Sequence, residues 1–327
     1  MYKLNYMLPV LIGAPDMADT KIFNISLIQK GEPKLLRLFP NYSSSSNSHK
    51  PQLSPMIKYT KQSLGSYLAG LIEGDGYITI TNKDSVILGI TFNLKDKPLA
   101  EKLLRILGGG FIVKRKTNSV ELRFSHKQTL CQIIELINGK FRTPKIDQLY
   151  KLVDWMNKKH SMNITKLPLN DSPILKDSWL SGFIDAGGCF YIRNSLKQII
   201  CKFNLEQRMI YPKTNENYNT ILNKICLAFG VKLNIRERIS KKNSYYIIKL
   251  ENQNAVKLLI NYLDAYPLLS RKHLDFLNWK IVFNEIVNKN HMTVEGRKIV
   301  SLHKSQMNNS RTSFNWEHLN KIKCRLF

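Results

Sequence analysis

An acidic side chain at the end of a repeated segment is the clearest sign of chemistry in this sequence. Residues 66–78 read SYLAGLIEGDGYI and residues 178–190 read SWLSGFIDAGGCF, so one pattern recurs 112 residues later. Asp75 of the first copy is replaced by Gly187 in the second. A carboxylate here could bind Mg²⁺, which takes one or two carboxylates together with phosphate and water oxygens. Two acids meeting at a shared axis would hold metals over two phosphates, one in each strand of a duplex.

The residues before Asp75 predict the helix that positions it. Leu68, Leu71 and Ile72 recur at i, i+3 and i+4, which is the apolar stripe of a helix. Glycines at 70 and 74, matched by Gly182 and Ala186 in the second copy, leave one helix face without large side chains. Small residues at this spacing let two backbones approach closely. We therefore expect the two helices to pack on each other near a pseudo-twofold axis.

Asp75 is expected at the C-terminal end of its helix, before Gly76, which is the residue type of a left-handed cap. An acid at this end opposes the helix dipole at a cost of about 0.3–1 kcal/mol. A residue placed against its local preference suggests a functional role. The alternative is that Asp75 merely belongs to a turn.

The net charge indicates the class of partner. The chain has 327 residues, enough for two domains, and a formal charge of +26. Such an excess favours nucleic acid as the partner, ahead of a membrane surface. The five cysteines form no CxxC pair, which argues against zinc and for reduced thiols in an intracellular compartment. No apolar run is long enough to span a membrane, and no cleavable targeting peptide is evident.

Composition and periodicity divide the chain into five segments. They are an N-terminal extension with a Ser-rich linker (1–60), a first repeat (61–158), a linker (159–177), a second repeat (178–288) and a basic C-terminal tail (289–327). Both repeats predict the order helix, strand, strand, helix, strand, strand, helix. This order favours the α+β class, with two pseudo-symmetric αββαββα halves.

The strand pairs of each repeat predict a sheet with one core face and one polar, basic face. Alternation in KLNIRERIS puts its polar residues on one side and Val231, Leu233, Ile235 and Ile239 on the other. A solvated sheet face is the alternative, but two such sheets in a chain of this charge favour a nucleic-acid surface. The residues expected to contact nucleic acid are Lys114, Lys116, Arg123, Lys232, Asn234, Arg236, Arg238, Tyr245 and Lys249.

The two copies resemble the motifs of the LAGLIDADG homing endonucleases in their single-chain, two-motif form. LAGLIEGDG (68–76) and LSGFIDAGG (180–188) carry the resemblance, and the segments at 90–103, 137–146, 266–279 and 292–311 look similar to the same family. The resemblance implies a saddle of two antiparallel sheets over the major groove of double-stranded DNA. It also implies motif helices at the interface, with Mg²⁺ or another divalent cation at their lower ends.

The resemblance also implies roles for individual residues. Asp75 matches the metal-binding acid, whereas Glu73 and Asp185 match acids that are usually structural. Basic residues that assist the phosphates match Lys145 in the first half and Lys272 (or Arg271) in the second. Asp96 and Gln207 match a polar position in the solvent network.

Gly187 departs from the pattern, because glycine can offer a metal only its backbone carbonyl. Asp185 should not substitute, since two residues along a helix is about 200° around its axis. We therefore expect double-strand cleavage to be weakened or limited to nicking. The alternatives are a maturase that binds its own group I intron RNA without nuclease activity, and a transcriptional regulator on the same scaffold.

Residues 8–27 resemble a segment of cytochrome c oxidase subunit 1, in a gapless register. Intron reading frames of this family are often fused to the preceding exon. The resemblance therefore implies a mitochondrial intron origin and a mitochondrial location. A single chain with two motifs implies a monomer, and residues 28–60 are expected to be largely disordered.

Overall fold

The protein is described here from a computed structural model that covers residues 59–238 and 243–322. The side chains of Arg238, Asn243 and Lys321 are outside this description. The oxidase-like segment at 8–27, the Ser-rich linker and almost all of the expected disordered region at 28–60 lie outside the described residues. The predictions made for these segments therefore stay predictions.

The first half contains four α-helices and four strands, in the predicted order with two α-helices, rather than one, after the last strand. Its elements are α1 (Lys61–Asp75), β1 (Gly76–Ile80), β2 (Val86–Asn93), α2 (Lys97–Leu107), β3 (Gly110–Lys114), β4 (Ser119–Phe124), α3 (Lys127–Ile137) and α4 (Ile146–His160). The strands form one antiparallel sheet in the order β1-β2-β4-β3.

The second half repeats this arrangement. Its elements are α5 (Trp179–Gly187), β5 (Gly188–Asn194), β6 (Ile199–Arg208), α6 (Asn219–Phe229), β7 (Leu233–Arg238), β8 (Asn243–Leu250), α7 (Gln253–Ala265) and α8 (Lys272–Val287). Its sheet has the equivalent order β5-β6-β8-β7. The α+β fold with two pseudo-symmetric halves is therefore confirmed.

The packing of α1 against α5 depends on the small residues. A Cβ built on Gly70 would lie 2.0 Å from the Trp179 carbonyl oxygen, and one on Gly182 would lie 1.9 Å from the Tyr67 carbonyl oxygen. A Cβ on Gly74 would lie 2.1 Å from the Cβ of Ala186. The backbones thus touch at equivalent places on both helices, as the sequence predicts. Almost all of α1 from Leu64 to Glu73 is buried.

The expectation of a left-handed cap at Gly76 is wrong. Gly76 is extended, with φ −91° and ψ 168°, and it begins β1 directly. Glycine is required there by space, because a Cβ would lie 2.7 Å from the Cα of Ile72. Gly188 ends α5 in the same way, with φ −78° and ψ 153°. The chain therefore turns from helix to strand without a loop at either motif.

Two further details differ from the sequence analysis. Ile235, assigned to the core face of β7, is 61% exposed because β7 is the outermost strand of its sheet. The basic segment after residue 288, predicted only as a tail, contains an amphipathic helix, α9 (Val294–Ser305), that packs against α8. Its N-terminus is capped by Thr293, whose Oγ1 accepts a hydrogen bond from the Gly296 amide at 3.0 Å.

Substituting Gly70 by alanine tests the helix contact. The added methyl group has to displace backbone atoms of α5, so we expect Gly70→Ala to lower the free energy of unfolding by about 2 kcal/mol or more. Gly187→Ala is the control, since its Cβ would meet only the end of the Leu205 side chain at 3.3 Å and the Glu206 carbonyl oxygen at 3.5 Å. Urea denaturation of both variants measures the difference. Equal midpoints would contradict the close contact.

Candidate active site and nucleic-acid surface

Asp75 lies at the last position of α1 and keeps solvent exposure. Surrounding protein nevertheless displaces water from much of the carboxyl group, which raises its pKa to about 6, against the opposing effect of Lys272 and Lys145. The nearby acids Asp96 and Asp185 raise the pKa further. Asp75 is therefore close to cations from both halves of the molecule.

Lys145 and Lys272 occupy equivalent positions at the ends of the two motif helices. The Lys145 ammonium donates to the carbonyl oxygens of Ile72 (3.2 Å), Gly74 (3.3 Å) and Gly76 (2.9 Å). Burial lowers its pKa to about 8, although the nearby Glu73 and Asp75 oppose this shift. A cation at this end of a helix meets carbonyls that lack an intrahelical partner.

Lys272 has the matching contacts in the second half. Its ammonium donates to the carbonyl oxygens of Ile184 (3.2 Å), Asp185 (2.7 Å) and Ala186 (3.0 Å), and burial lowers its pKa. Arg271 instead donates its amide to Asp96 at 2.7 Å. Between the two residues that the sequence left open, Lys272 is therefore the counterpart of Lys145.

Glu73 connects α1 to the other half of the molecule. Its carboxylate accepts hydrogen bonds from the amides of Arg142 (3.0 Å) and Thr143 (2.6 Å) and from the indole of Trp179 (2.5 Å). Burial raises its pKa to about 7, and these hydrogen bonds oppose the rise. The contacts fix the loop that leads into Lys145.

Asp185 has the equivalent set of partners. It accepts from the Tyr67 hydroxyl (2.7 Å) and from the amides of Leu269 (2.7 Å) and Ser270 (3.2 Å). The two motif helices therefore exchange one aromatic donor each. Because the Asp185 carboxylate is buried and bonded in this way, it does not face the position that Gly187 leaves without an acid.

Gly187 borders an open cleft of about 420 Å³ on the polar face of the second sheet. Apart from Leu205, a Cβ at this position would meet only the backbone oxygen of Glu206, at 3.5 Å. An acidic side chain could therefore be accommodated without rearranging the backbone. The other residues that line the cleft are Cys189, Asn204, Glu206, Arg236, Tyr245 and Ile247.

Asp96 and Gln207, the two polar residues assigned to the solvent network, have different surroundings. Asp96 accepts the Arg271 amide, and burial raises its pKa to about 6. Gln207 pairs across the sheet with Tyr246, so it lies on the helix-packed face. Burial raises the pKa of the neighbouring Tyr218 hydroxyl, and the side chains of Gln207 and Thr143 oppose this rise.

The second sheet has the basic polar face that the sequence predicts. Strand pairing places Arg236 opposite Tyr245, and Lys249 opposite Asn204. Asn204 also pairs with Cys189, so these residues share the face that borders the cleft at Gly187. Arg236 forms an ion pair with Glu206 at 3.0 Å. Asn234 lies on the same face, whereas Lys232 precedes β7 and Arg238 is described only through its backbone.

The first sheet carries a cluster of charges centred on Glu121. Its carboxylate accepts from Arg115 (2.7 Å), Arg123 (2.8 Å) and the hydroxyl of Tyr77 (3.0 Å). The Arg115 hydrogen bond is the main reason that the Glu121 pKa falls to about 2. The ring of Tyr77 lies over Gly89, where a Cβ would be 2.4 Å from its Cζ.

The sequence prediction of the polar surface was incomplete. Lys114 pairs with Val120 and thus lies on the opposite face, and Lys116 lies in the β3–β4 turn. The polar sheet faces also carry residues that the sequence analysis did not name, and these are Tyr77, Arg115, Arg193, Lys202 and Arg208. Alternation along β5 and β6 carried enough signal to find the last three.

Within the described ranges, no group of three or more His, Cys, Asp or Glu side chains is placed to hold a metal ion. Asp75 supplies a single carboxylate, which fits a site completed by oxygens of a bound phosphate. Over the same part of the chain, none of the helices is long and apolar enough to cross a membrane.

The fold and this paired site define a class of protein in which two motif helices pack on each other and each leads directly into a sheet with one polar face. The model of the LAGLIDADG endonuclease family matches residues 68–156 and 180–283. The chain therefore belongs to the LAGLIDADG endonuclease family.

Similar proteins agree with this assignment. The chain is 31% identical to the intron-encoded DNA endonuclease aI3 of Saccharomyces cerevisiae, over 88% of this chain and 81% of that protein. It is 32% identical to a cox1 intron-2 protein of Schizosaccharomyces pombe, over 71% of this chain and 69% of that protein. The fold is similar to I-GzeII in complex with its DNA target, with a TM-score of 0.60, 18% identity and coverage of 76% of this chain and 99% of that chain.

Removing the ammonium of Lys145 should destabilise the fold as well as the site. We expect Lys145→Met to lower the free energy of unfolding by about 1–3 kcal/mol, because buried carbonyls of α1 lose their donor. Lys158→Met, at an exposed position of α4, the helix that follows Lys145, should change it little. Urea denaturation compares the variants. An unchanged midpoint for Lys145→Met would show that the lysine does not stabilise the helix end.

Glu121 should make the stability depend on pH. Its folded pKa lies below the ordinary 4.5, so its contribution is complete above pH 4.5 and is lost as pH falls towards about 2. Glu121→Gln should cost about 1–2 kcal/mol at pH 7, allowing for solvent around Arg115, and should flatten this pH dependence. Denaturation at pH 7 and pH 3 measures it. Glu135→Gln, which removes an exposed ion pair with Lys61, is the control.

Proposed function

We propose that the protein is an intron-encoded, site-specific DNA-binding protein of the homing-endonuclease type whose cleavage is limited to nicking one strand. The observation that carries the proposal is the asymmetry of the site. Asp75, Lys145 and Lys272 are present, whereas Gly187 stands where the second acid would be. A duplex has two scissile phosphates, so one complete half supports one cut.

The surrounding structure supports retention of DNA binding. The motif helices, both lysines and both structural acids keep equivalent contacts in the two halves, so the change at Gly187 leaves the scaffold in place. The Saccharomyces cerevisiae relative is named as a DNA endonuclease, and the I-GzeII structure contains a DNA target. We assign duplex DNA as the partner of this chain on the same grounds.

The residues around Asp75 suggest how one cut would be made. The carboxylate would hold Mg²⁺ or another divalent cation together with phosphate oxygens, and such a cation, when bound, polarises the phosphate and a water molecule. Lys145 and Lys272 place positive charge near Asp75, where it would offset the negative charge of a bound phosphate. In the second half, only the backbone carbonyl of Gly187 remains as an oxygen donor at the motif position.

We further propose that the protein acts as a monomer in the mitochondrion. One chain supplies both halves of the site, so no second copy is needed to complete it. The Schizosaccharomyces pombe relative is named as the product of a cox1 intron, in agreement with the oxidase-like residues 8–27.

A second candidate function is that of an RNA maturase for the group I intron. Gly187 favours it, since splicing assistance needs the basic scaffold and not a pair of metal-binding acids. A relative named as the intron-encoded RNA maturase bI4 of Saccharomyces cerevisiae is 27% identical over 63% of this chain, although only 30% of that protein is matched.

Restoring the missing acid tests the proposal. The substrate is a supercoiled plasmid that carries the intronless oxidase exon junction, incubated with Mg²⁺. We expect the natural chain to produce nicked circles and Gly187→Asp to produce linear DNA, because the second half regains its carboxylate. Agarose electrophoresis with time measures both products.

Asp75→Asn is the matched control, since it removes the remaining carboxylate and should abolish nicking without filling space. Linear DNA from the natural chain would contradict the predicted limit to one strand. If neither the natural chain nor Gly187→Asp cuts the plasmid, and both bind a transcript of the intron tightly, the maturase function replaces the proposal.

A further inference from the structure

Basic side chains gather at one end of the second sheet, beside the turn that joins β5 to β6. Arg193 is an exposed residue of β5 on the polar face, and Lys197 is exposed in the turn itself. Helix α9 adds Arg297, which is half-buried, and Lys298, which is exposed. We call these four residues the α9 basic cluster. None of them belongs to the paired site at the motif helices.

Helix α9 is fixed against this turn by polar contacts. The Arg297 guanidinium donates to the carbonyl oxygen of Leu196 at 3.3 Å, and the Asn194 amide donates to the hydroxyl of Ser301 at 3.2 Å. The entry to the helix is also tight, because a Cβ on Gly296 would lie 1.9 Å from the carbonyl oxygen of Asn290. Arg297 is therefore held beside the turn, and Lys298 is the next residue of the same helix.

The α9 basic cluster is not neutralised by acids. Among the residues that the structure describes, none of its four members forms an ion pair. The turn between β1 and β2 in the first half differs, because its Asp84 pairs with Lys159 at 2.7 Å. Glu295 is the acid of α9 that is nearest in sequence to Arg297 and Lys298. One acid against the four cations leaves the cluster with a net positive charge.

We propose that α9 and the β5–β6 turn extend the DNA-binding surface beyond the sheet and bind phosphates of the duplex that flank the target on the side of the second half. Unpaired cations beside a polar sheet face fit a polyanion with regularly spaced charges. Arg193 shares its face with Lys202 and Lys249, so the cluster continues the surface assigned to duplex DNA. The inference rests on the proposed DNA-binding function.

The test measures how binding depends on salt. The probe is a mixed-sequence DNA duplex, for which phosphate contacts dominate affinity, and its dissociation constant is measured over a series of NaCl concentrations. The variant Lys197→Gln/Lys298→Gln removes two charges without removing a hydrogen bond that the structure shows. We expect the salt slope to fall by about 2, at roughly 0.9 for each phosphate contact, and affinity to weaken about tenfold.

The control variant, Arg105→Gln/Lys257→Gln, removes the same charge from exposed positions of α2 and α7, helices that pack on the sheets. It should keep the natural salt slope. Equal slopes for the two double variants would overturn the inference while leaving the proposed function intact. If the natural chain does not bind the duplex at all, the proposed function itself fails.

An intron transcript is assayed beside the duplex. A loss of affinity confined to the transcript in Lys197→Gln/Lys298→Gln would assign the cluster to RNA and overturn the inference. DNase I footprinting on the exon-junction duplex is the second measurement. Protection by the natural chain should extend further on the second-half side than protection by the double variant.

Discussion

The contact between the two motif helices is the constraint on which the rest of the structure depends. Their backbones touch at glycines, so no other residue fits at positions 70 and 182 without displacing the partner helix. Trp179 and Tyr67 then donate across the same contact to Glu73 and Asp185, which hold the loops before α4 and α8. Buried carboxylates with satisfied hydrogen bonds are costly to disturb, so this network specifies one relative position of the halves.

The requirements of folding and those of chemistry coincide at the two lysines and separate at Asp75 and Gly187. Lys145 and Lys272 stabilise the motif helix ends and also place cations beside Asp75, so both tasks depend on them. Asp75 and Gly187 lie one residue beyond the helix contact and contribute to neither the glycine packing nor the acid–aromatic exchange. The fold therefore does not require an acid at position 187, whereas loss of the acid at Asp185 would leave several buried donors unpaired.

The sequence predicted features that depend on local spacing. Small residues four apart predicted the helix contact, and strict alternation in β4 predicted the buried Leu122 and Phe124. The prediction failed where contacts with distant parts of the chain determine the backbone conformation or the exposure of a residue. The backbone at Gly76 is extended because β1 begins there, and Ile235 is exposed because no strand lies beyond β7. The partners of Glu121 come from β1, from β4 and from the turn between β3 and β4, so their meeting depends on a strand pairing that no single segment encodes.

The distribution of charge gives the two halves different roles in the proposed complex with DNA. On the polar face of the first sheet, Arg115 and Arg123 are both bound to Glu121, which leaves less positive charge for phosphates. On the second sheet, Arg193, Arg208 and Lys249 have no ion pair among the described residues, and the α9 basic cluster lies beside them. Phosphate contacts supply most of the affinity for a duplex. In the proposed complex, the second half, which has Gly187 in place of an acid, would therefore contribute more of the affinity for DNA. The first half, which has Asp75, would cut one strand while the second half keeps the duplex in register.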